Sequence, residues 1–195
     1  MTINDKYDLY EKLLREWSGK MNLVAKSTLA EIRSRHISDS AQLADYIPQD
    51  KTVLDLGSGA GFPAAVLAIL GYKVIAIESV GKKCRFLEAV KGELDLKNLE
   101  IINDRVENCL PRLGGEWPRS GRGGAFNKNC VITARGFAPL IRILDMTRKL
   151  DCDYVLLKGR TAPDEIALAR GKYGFAANLY PSATGDGFIV KLTTK

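Results

Sequence analysis

The nine residues "DLGSGAGFP", Asp55 to Pro63, place Gly57, Gly59 and Gly61 within five positions, directly after an acid and an apolar run. Glycines so spaced let backbone approach a ligand closely, and such a turn after a strand holds nucleotide-like ligands. A Walker phosphate loop is excluded, because no Gly-Lys-Ser/Thr follows. The dinucleotide fingerprint stays open. Gly59-x-Gly61-x-x-Ala64 fits G-x-G-x-x-G/A, and an acid, Glu78, closes the next apolar run. Asp55 tips the balance. A pyrophosphate at this turn would meet its carboxylate, and like unit charges at ~4 Å repel by about 4 kcal/mol at an effective dielectric of roughly 20. S-adenosylmethionine carries a sulfonium and an ammonium group and no phosphate, so Asp55 suits it. Glu78 would accept from the ribose hydroxyls under either reading. Asp104 and Glu107 are placed to border an adenine. Phe62 packs on the ligand or starts the core of the next helix. Arg135 bridges cofactor and substrate or makes a structural salt bridge, and Lys158 lines the pocket mouth.

The elements that must position these residues alternate. Thr52–Leu56 reads as a buried strand, followed by the glycine turn and a helix with Pro63 in its first turn. Strands are expected at 73–78, 99–103, 130–135 and 153–159, with helices at 81–94, 106–113, from Pro139 and from Ala162. Two last strands, near 175–180 and 188–192, are split by the turn "TGDG" with no helix between them. The pattern implies an α/β fold: a doubly wound, Rossmann-like, seven-stranded, mostly parallel sheet with a C-terminal antiparallel hairpin. Ahead of it, residues 1–48 form an N-terminal helical segment, leaving 49–195 as the main domain. Tyr7, Tyr10, Leu13, Leu14 and Trp17 make one apolar stripe at helical spacing. Thr28-x-x-Glu31 reads as a capping box opening a second helix that runs through His36 to about Tyr46, and "PQDK" breaks the chain. Residues 113–129 are too long and glycine-rich for a connector and are expected to be a mobile surface loop.

With 195 residues, 46% hydrophobic and 27% charged, the chain has the composition of a soluble globular domain with a substantial core. The longest apolar run, 64–70, is far too short to span a bilayer, and the first twenty residues carry four acids, which excludes a signal-peptide core. A cytoplasmic protein without membrane contact is expected. Cys84, Cys109, Cys130 and Cys152 lie more than twenty residues apart and there is one histidine, so no metal site is expected and the cysteines read as reduced packing residues. The net charge of +6 favours a polyanionic partner. The cations group as Arg33, Arg35 and His36; Lys82, Lys83 and Arg85; and Arg119, Arg122 and Lys128 in an acid-free stretch. His36 itself reads as a packed histidine.

"DLGSGAGFP" is similar to the first motif of class I S-adenosylmethionine-dependent methyltransferases, and the whole chain resembles the RsmG/GidB family of bacterial small-subunit rRNA guanine-N7 methyltransferases. The resemblance is carried, in order, by "WSGKMNLVA" (17–25), "RHISDS" (35–40), "DLGSGAGFP", "ESVGKKCRFLE" (78–88), "DRVEN" (104–108), "TARGFAPL" (133–140) and "LLKGR" (156–160). It implies S-adenosylmethionine as cofactor and 16S rRNA, free or in a small-subunit assembly intermediate, as substrate. By it, Gly57, Phe62, Val106, Glu107 and Arg135 fall on cofactor-contacting positions, alongside Gly59 of the turn and Glu78 at the end of the second strand. Ala64 stands where the family commonly has glycine, and Gly136 where alanine is usual. The chemistry agrees. "TARGF" replaces the Asn/Asp-Pro-Pro-aromatic motif of exocyclic-amine methyltransferases, and Cys130 sits inside a strand, unsuited to nucleophilic work. Guanine N7 already presents a lone pair and needs positioning rather than a base, so no catalytic residue is named. The alternatives are a dinucleotide-dependent oxidoreductase, a methyltransferase acting on another RNA or a small molecule, and a non-enzymatic RNA-binding module. The oligomeric state is left open, with a monomer favoured.

Overall fold

A computed structural model describes residues 1–113, 129–185 and 187–194. The expected loop, with Arg119, Arg122 and Lys128, lies outside these residues apart from Leu113 and Asn129 at its ends.

The chain opens with α1 (Ile3–Ser18), whose N-cap Thr2 and Asp5 form a reciprocal capping box. Its apolar stripe is buried through Tyr7, Tyr10, Leu13 and Leu14, each contributing about 1.5–3 kcal/mol when fully removed from water. No continuous helix follows. A 3-10 turn over Lys26–Glu31 leads into a π-helical turn over Ile32–Ile37, then α2 (Ser38–Ala41) and a second 3-10 turn over Gln42–Asp45. The expected capping box at Thr28 is therefore not made. The Thr28 hydroxyl instead donates to the Ala25 carbonyl at 2.9 Å. Single π turns are frequent at functional sites. This one buries Ile32 and Ile37, five residues apart, in the core.

Seven strands form one sheet: β1 (Thr52–Leu56), β2 (Lys73–Glu78), β3 (Leu99–Asn103), β4 (Cys130–Thr133), β5 (Asp153–Lys158), β6 (Phe175–Pro181) and β7 (Phe188–Thr194). Their order is β3-β2-β1-β4-β5-β7-β6. The first five run parallel; β7 pairs antiparallel with both β5 and β6, completing the expected hairpin. The order reverses between β1 and β4, the crevice where open α/β sheets bind ligands. Between strands lie α3 (Ala64–Ile69), α4 (Gly81–Glu93), α5 (Val106–Leu113), α6 (Leu140–Thr147) and α7 (Ala162–Arg170). All six residues of α3 are buried, because α1 and α2 cover the side of α3 that a surface helix would show to water. No helix among the described residues is long and apolar enough to cross a membrane.

The expectation of reduced cysteines fails as well. Cys130 and Cys152 form a disulfide, with Cα atoms 5.1 Å apart. Separated by 22 residues in sequence, they become neighbours because β4 and β5 pair in parallel with Val131 opposite Asp153. Cys84 and Cys109 stand outside the disulfide, and both are buried.

Candidate active site at the carboxyl edge of the sheet

The glycine turn leaves β1 at the reversal point. Gly57, Gly59 and Gly61 have φ values of 69°, 58° and 91°, a region that side chains disfavour. A Cβ at Gly57 would also lie 2.3 Å from the Phe137 ring. The turn is strapped to the end of β2. Gly57 N–H donates to the Ile77 carbonyl at 2.9 Å, and Glu78 accepts from Gly59 N–H at 2.9 Å and from Val80 N–H at 2.8 Å. From beneath, the buried Tyr10 hydroxyl of α1 donates to the Ala60 carbonyl at 2.5 Å.

Asp55 lies under the turn with no exposed surface. Its Oδ1 accepts from the Thr133 hydroxyl of β4 at 3.1 Å, and its Oδ2 is buried without a partner. Burial pushes its pKa up to about 6, against the lowering effect of hydrogen bonds. A buried, half-satisfied carboxylate is costly alone and favours a cation beside it.

Arg135, just past β4, is held by the N-terminal segment. Its Nη2 donates to His36 Nδ1 at 2.9 Å and to the Arg35 carbonyl at 3.3 Å; Nε lies 3.4 Å from Asp39 Oδ2. Its guanidinium sits 5.8 Å from the centroid of the Phe62 ring, against which His36 also packs at 5.2 Å. Because a guanidinium only donates, His36 Nδ1 must accept, which puts the imidazole proton on Nε2, 2.9 Å from Thr28 Oγ1. Burial, reinforced by the charges of Arg135 and Arg35, lowers the His36 pKa to about 4, so the ring is neutral at pH 7. Asp39 closes the network. Its Oδ1 accepts from Gln42 Nε2 at 2.7 Å and from the Ser182 and Thr184 hydroxyls of the hairpin turn at 2.6 and 3.2 Å.

The turn residues Gly57, Gly59 and Phe62 thus meet Glu78 and Arg135 at one edge. Val106 and Glu107 start α5, after β3, one strand farther out; Val106 is buried and Glu107 exposed. Asn103 Nδ2 donates to the Glu78 carbonyl at 3.0 Å and joins that strand end to β2. Asp104 Oδ1 accepts from Arg105 N–H and Asn108 Nδ2. Lys158 reaches the pocket wall, but its ammonium bonds the Ala138 carbonyl at 2.8 Å and Glu165 at 2.7 Å, and Glu165 also accepts from Leu140 N–H at 2.7 Å. Arg33 pairs with Asp8 and lies 5.2 Å over the Tyr7 ring, while Lys82 and Arg85 are exposed on α4. Sequence reasoning missed Tyr10, Asp39 and Phe137. Asp39 was legible only as part of "RHISDS"; nothing marked Tyr10 as more than one position of an apolar stripe. No group of three or more His, Cys, Asp or Glu able to hold a metal occurs among the described residues.

A family model described as rRNA small subunit methyltransferase G matches residues 3–179. The chain belongs to that family. Among similar relatives, a ribosomal RNA small subunit methyltransferase G of Dinoroseobacter shibae is 38% identical over 189 residues, covering 91% of this chain and 88% of the relative. One of Gluconobacter oxydans is 36% identical, covering 97% and 93%. The fold is that of solved methyltransferases. The glycopeptide N-methyltransferase MtfA complexed with S-adenosylmethionine superposes with a TM-score of 0.59 at 13% identity, over 82% of this chain and 94% of that one. An O-methyltransferase from Bacillus cereus in complex with S-adenosylhomocysteine gives 0.59 at 13% identity, over 92% and 96%.

Proposed function

We propose that this chain transfers a methyl group from S-adenosylmethionine to N7 of a guanine in small-subunit (16S) rRNA. The family to which the chain belongs supports the reaction class and the RNA. The observation in the site that carries the reading is the unpartnered, buried Oδ2 of Asp55 beneath a left-handed glycine turn. A buried carboxylate with one unanswered oxygen fits a ligand that brings a cation and no phosphate, and a dinucleotide's pyrophosphate would meet it as a like charge.

Gly57, Gly59 and Phe62 would hold the cofactor's methionine and ribose side, Glu78 would accept from the ribose hydroxyls, Val106 and Glu107 would border the adenine, and Arg135 would sit between cofactor and RNA. When bound, the cofactor supplies an electrophilic methyl group. The chain's own contribution is to bind, orient and exclude water. The N7 lone pair of guanine is free at neutral pH, so no residue need remove a proton, and positioning alone lowers the barrier. The neutral His36 is then a holder of Arg135 rather than a base. Residues 1–48 serve as one wall of this site, and the exposed cations would meet RNA phosphates. N7 lies in the deep groove of A-form RNA, which side chains do not enter, so the target guanine lies in a loop or irregular segment. Such a substrate places the protein in the cytoplasm.

The test is transfer of labelled methyl from S-adenosylmethionine to purified small-subunit rRNA, followed by nucleoside analysis. Label in 7-methylguanosine is expected. Label in an exocyclic amine or a ribose would overturn the N7 reading, and binding of a nicotinamide dinucleotide without binding of S-adenosylmethionine would favour the oxidoreductase.

A further inference from the structure

A cleft of about 220 Å³ opens between the ends of β4 and β5, the β6–β7 hairpin turn and the N-terminal segment. Its walls include Arg35, Asp39, Arg135, Lys158, Thr184 and Phe188. Arg135 is shared: one side of the residue lines the cleft, and its guanidinium lies over Phe62, which follows the glycine turn. The cleft therefore adjoins the proposed cofactor position through a single side chain.

Each cation of the cleft wall has an acid beside it, Glu31 for Arg35 among them. Glu165 neutralises Lys158, and Asp39 faces Arg135. A phosphate entering would meet the Asp39 carboxylate, which counts against an anion. A hydrogen-bond donor would be welcome. Asp39 Oδ1 already takes three side-chain donors, whereas among the described residues Oδ2 has the 3.4 Å contact with Arg135, and a carboxylate has about four lone-pair sites in all. Phe188 offers an apolar ring for a base to pack against. The wall carrying it is preorganised. Asp39 ties down the hairpin turn, and Gly187 lies so close to β5 that a Cβ there would come within 2.2 Å of the Lys158 carbonyl.

We propose that this cleft receives the target guanine of the reaction above, with Asp39 Oδ2 accepting from its N1–H and N2–H edge and Phe188 packing on its ring. The assignment rests on the proposed methyl transfer and adds what selects the base. Guanine presents two donors on that edge, where adenine presents an acceptor at N1. N7 lies on the opposite edge of the purine, so this grip leaves the reacting lone pair unobstructed. Asp39 is then a specificity-determining residue, and the N-terminal segment that carries it is part of the substrate site.

The test uses the full chain saturated with S-adenosylhomocysteine and titrated with guanosine, inosine and adenosine 5′-monophosphates by calorimetry and NMR. Inosine keeps N1–H and lacks the N2 amine. Guanosine monophosphate is expected to bind about tenfold tighter than inosine monophosphate, the discrimination of one good base contact. Asp39→Asn should bring that ratio near one while S-adenosylhomocysteine still binds. Phe188→Ala, which leaves the Asp39 network intact, should weaken both nucleotides by a similar factor. Equal binding of the two nucleotides by the wild type, an unchanged ratio in Asp39→Asn, no saturable guanosine monophosphate binding, or displacement of the nucleotide by inorganic phosphate would each overturn the assignment. Methyl transfer to rRNA is measured alongside. Transfer with a flat nucleotide ratio rejects the guanine pocket alone, whereas no transfer rejects the function on which it rests.

Discussion

Arg135 Nη2 donates to His36 Nδ1 at 2.9 Å, across 99 residues of sequence, and this bond fixes both the tautomer of the histidine and the position of the guanidinium over Phe62. Through it the N-terminal segment, which carries no strand, shapes the edge of the sheet. His36→Phe keeps a ring against Phe62 but removes the acceptor. It is expected to lower kcat/KM for rRNA by about tenfold, the loss of one hydrogen bond to a charged group. His36→Gln, which still offers an acceptor, should recover much of that loss. Equal activity of the two variants would show that packing, not the bond, is what matters.

The same histidine gives a pH dependence of stability. Its pKa falls from an ordinary value of 6.5 to about 4 in the folded chain, so between these values the unfolded state binds more protons than the native state. Stability from this group is therefore fully present above pH 6.5 and is lost as pH falls through about 4. Denaturant titrations of the wild type and His36→Gln across that window should diverge, with the wild type losing more stability on acidification.

Asp55 behaves oppositely. Its folded pKa of about 6 exceeds the ordinary 3.8, so the native chain binds the extra proton and the carboxylate's contribution favours folding at low pH, fading as pH rises through about 6. Binding of a cationic ligand requires the ionised form. Affinity for S-adenosylmethionine should fall about tenfold per pH unit below about 6, and binding near that pH should release a proton, visible as a calorimetric enthalpy that varies with the buffer's ionisation heat. Asp55→Asn should flatten the dependence.

At Gly57 the backbone is left-handed and a Cβ would strike the Phe137 ring. Gly57→Ala is expected to displace the turn and weaken S-adenosylmethionine by at least about tenfold, and Gly57→Asp, adding a charge, to abolish binding. Calorimetry of the folded variants checks both. An unchanged affinity would remove this turn from the cofactor site.

Tyr10→Phe tests the support from below. It leaves the Ala60 carbonyl buried without the hydroxyl that meets it, a loss of about 1–3 kcal/mol, read as a lower midpoint in denaturant together with weaker cofactor binding. A stability loss with unaltered cofactor affinity would confine Tyr10 to the core.

Much of this was legible in the residues. Strands β1, β2 and β3 were readable to their ends because each is an apolar run closed by a turn signal, and the hairpin because no helical period separates its strands. The glycine turn declared itself by spacing, and its three glycines have the left-handed backbone that spacing suggested. What lay hidden depended on distance. Thr28 looked like a helix cap, yet tertiary context gives it His36 as a partner. Cys130 and Cys152 meet only because β4 and β5 are parallel neighbours. Asp39 gathers Gln42, Ser182, Thr184 and Arg135 from three parts of the chain, and no periodicity in any one of them points to the others.

The central claim is tested most directly by mass spectrometry of small-subunit rRNA from cells lacking the gene, from their parent, and from the deletion RNA treated with the purified chain and S-adenosylmethionine. The account predicts an N7-methylguanine present in the parent, missing from the deletion and restored by the protein. N7-methylguanine persisting unchanged in the deletion strain would contradict it.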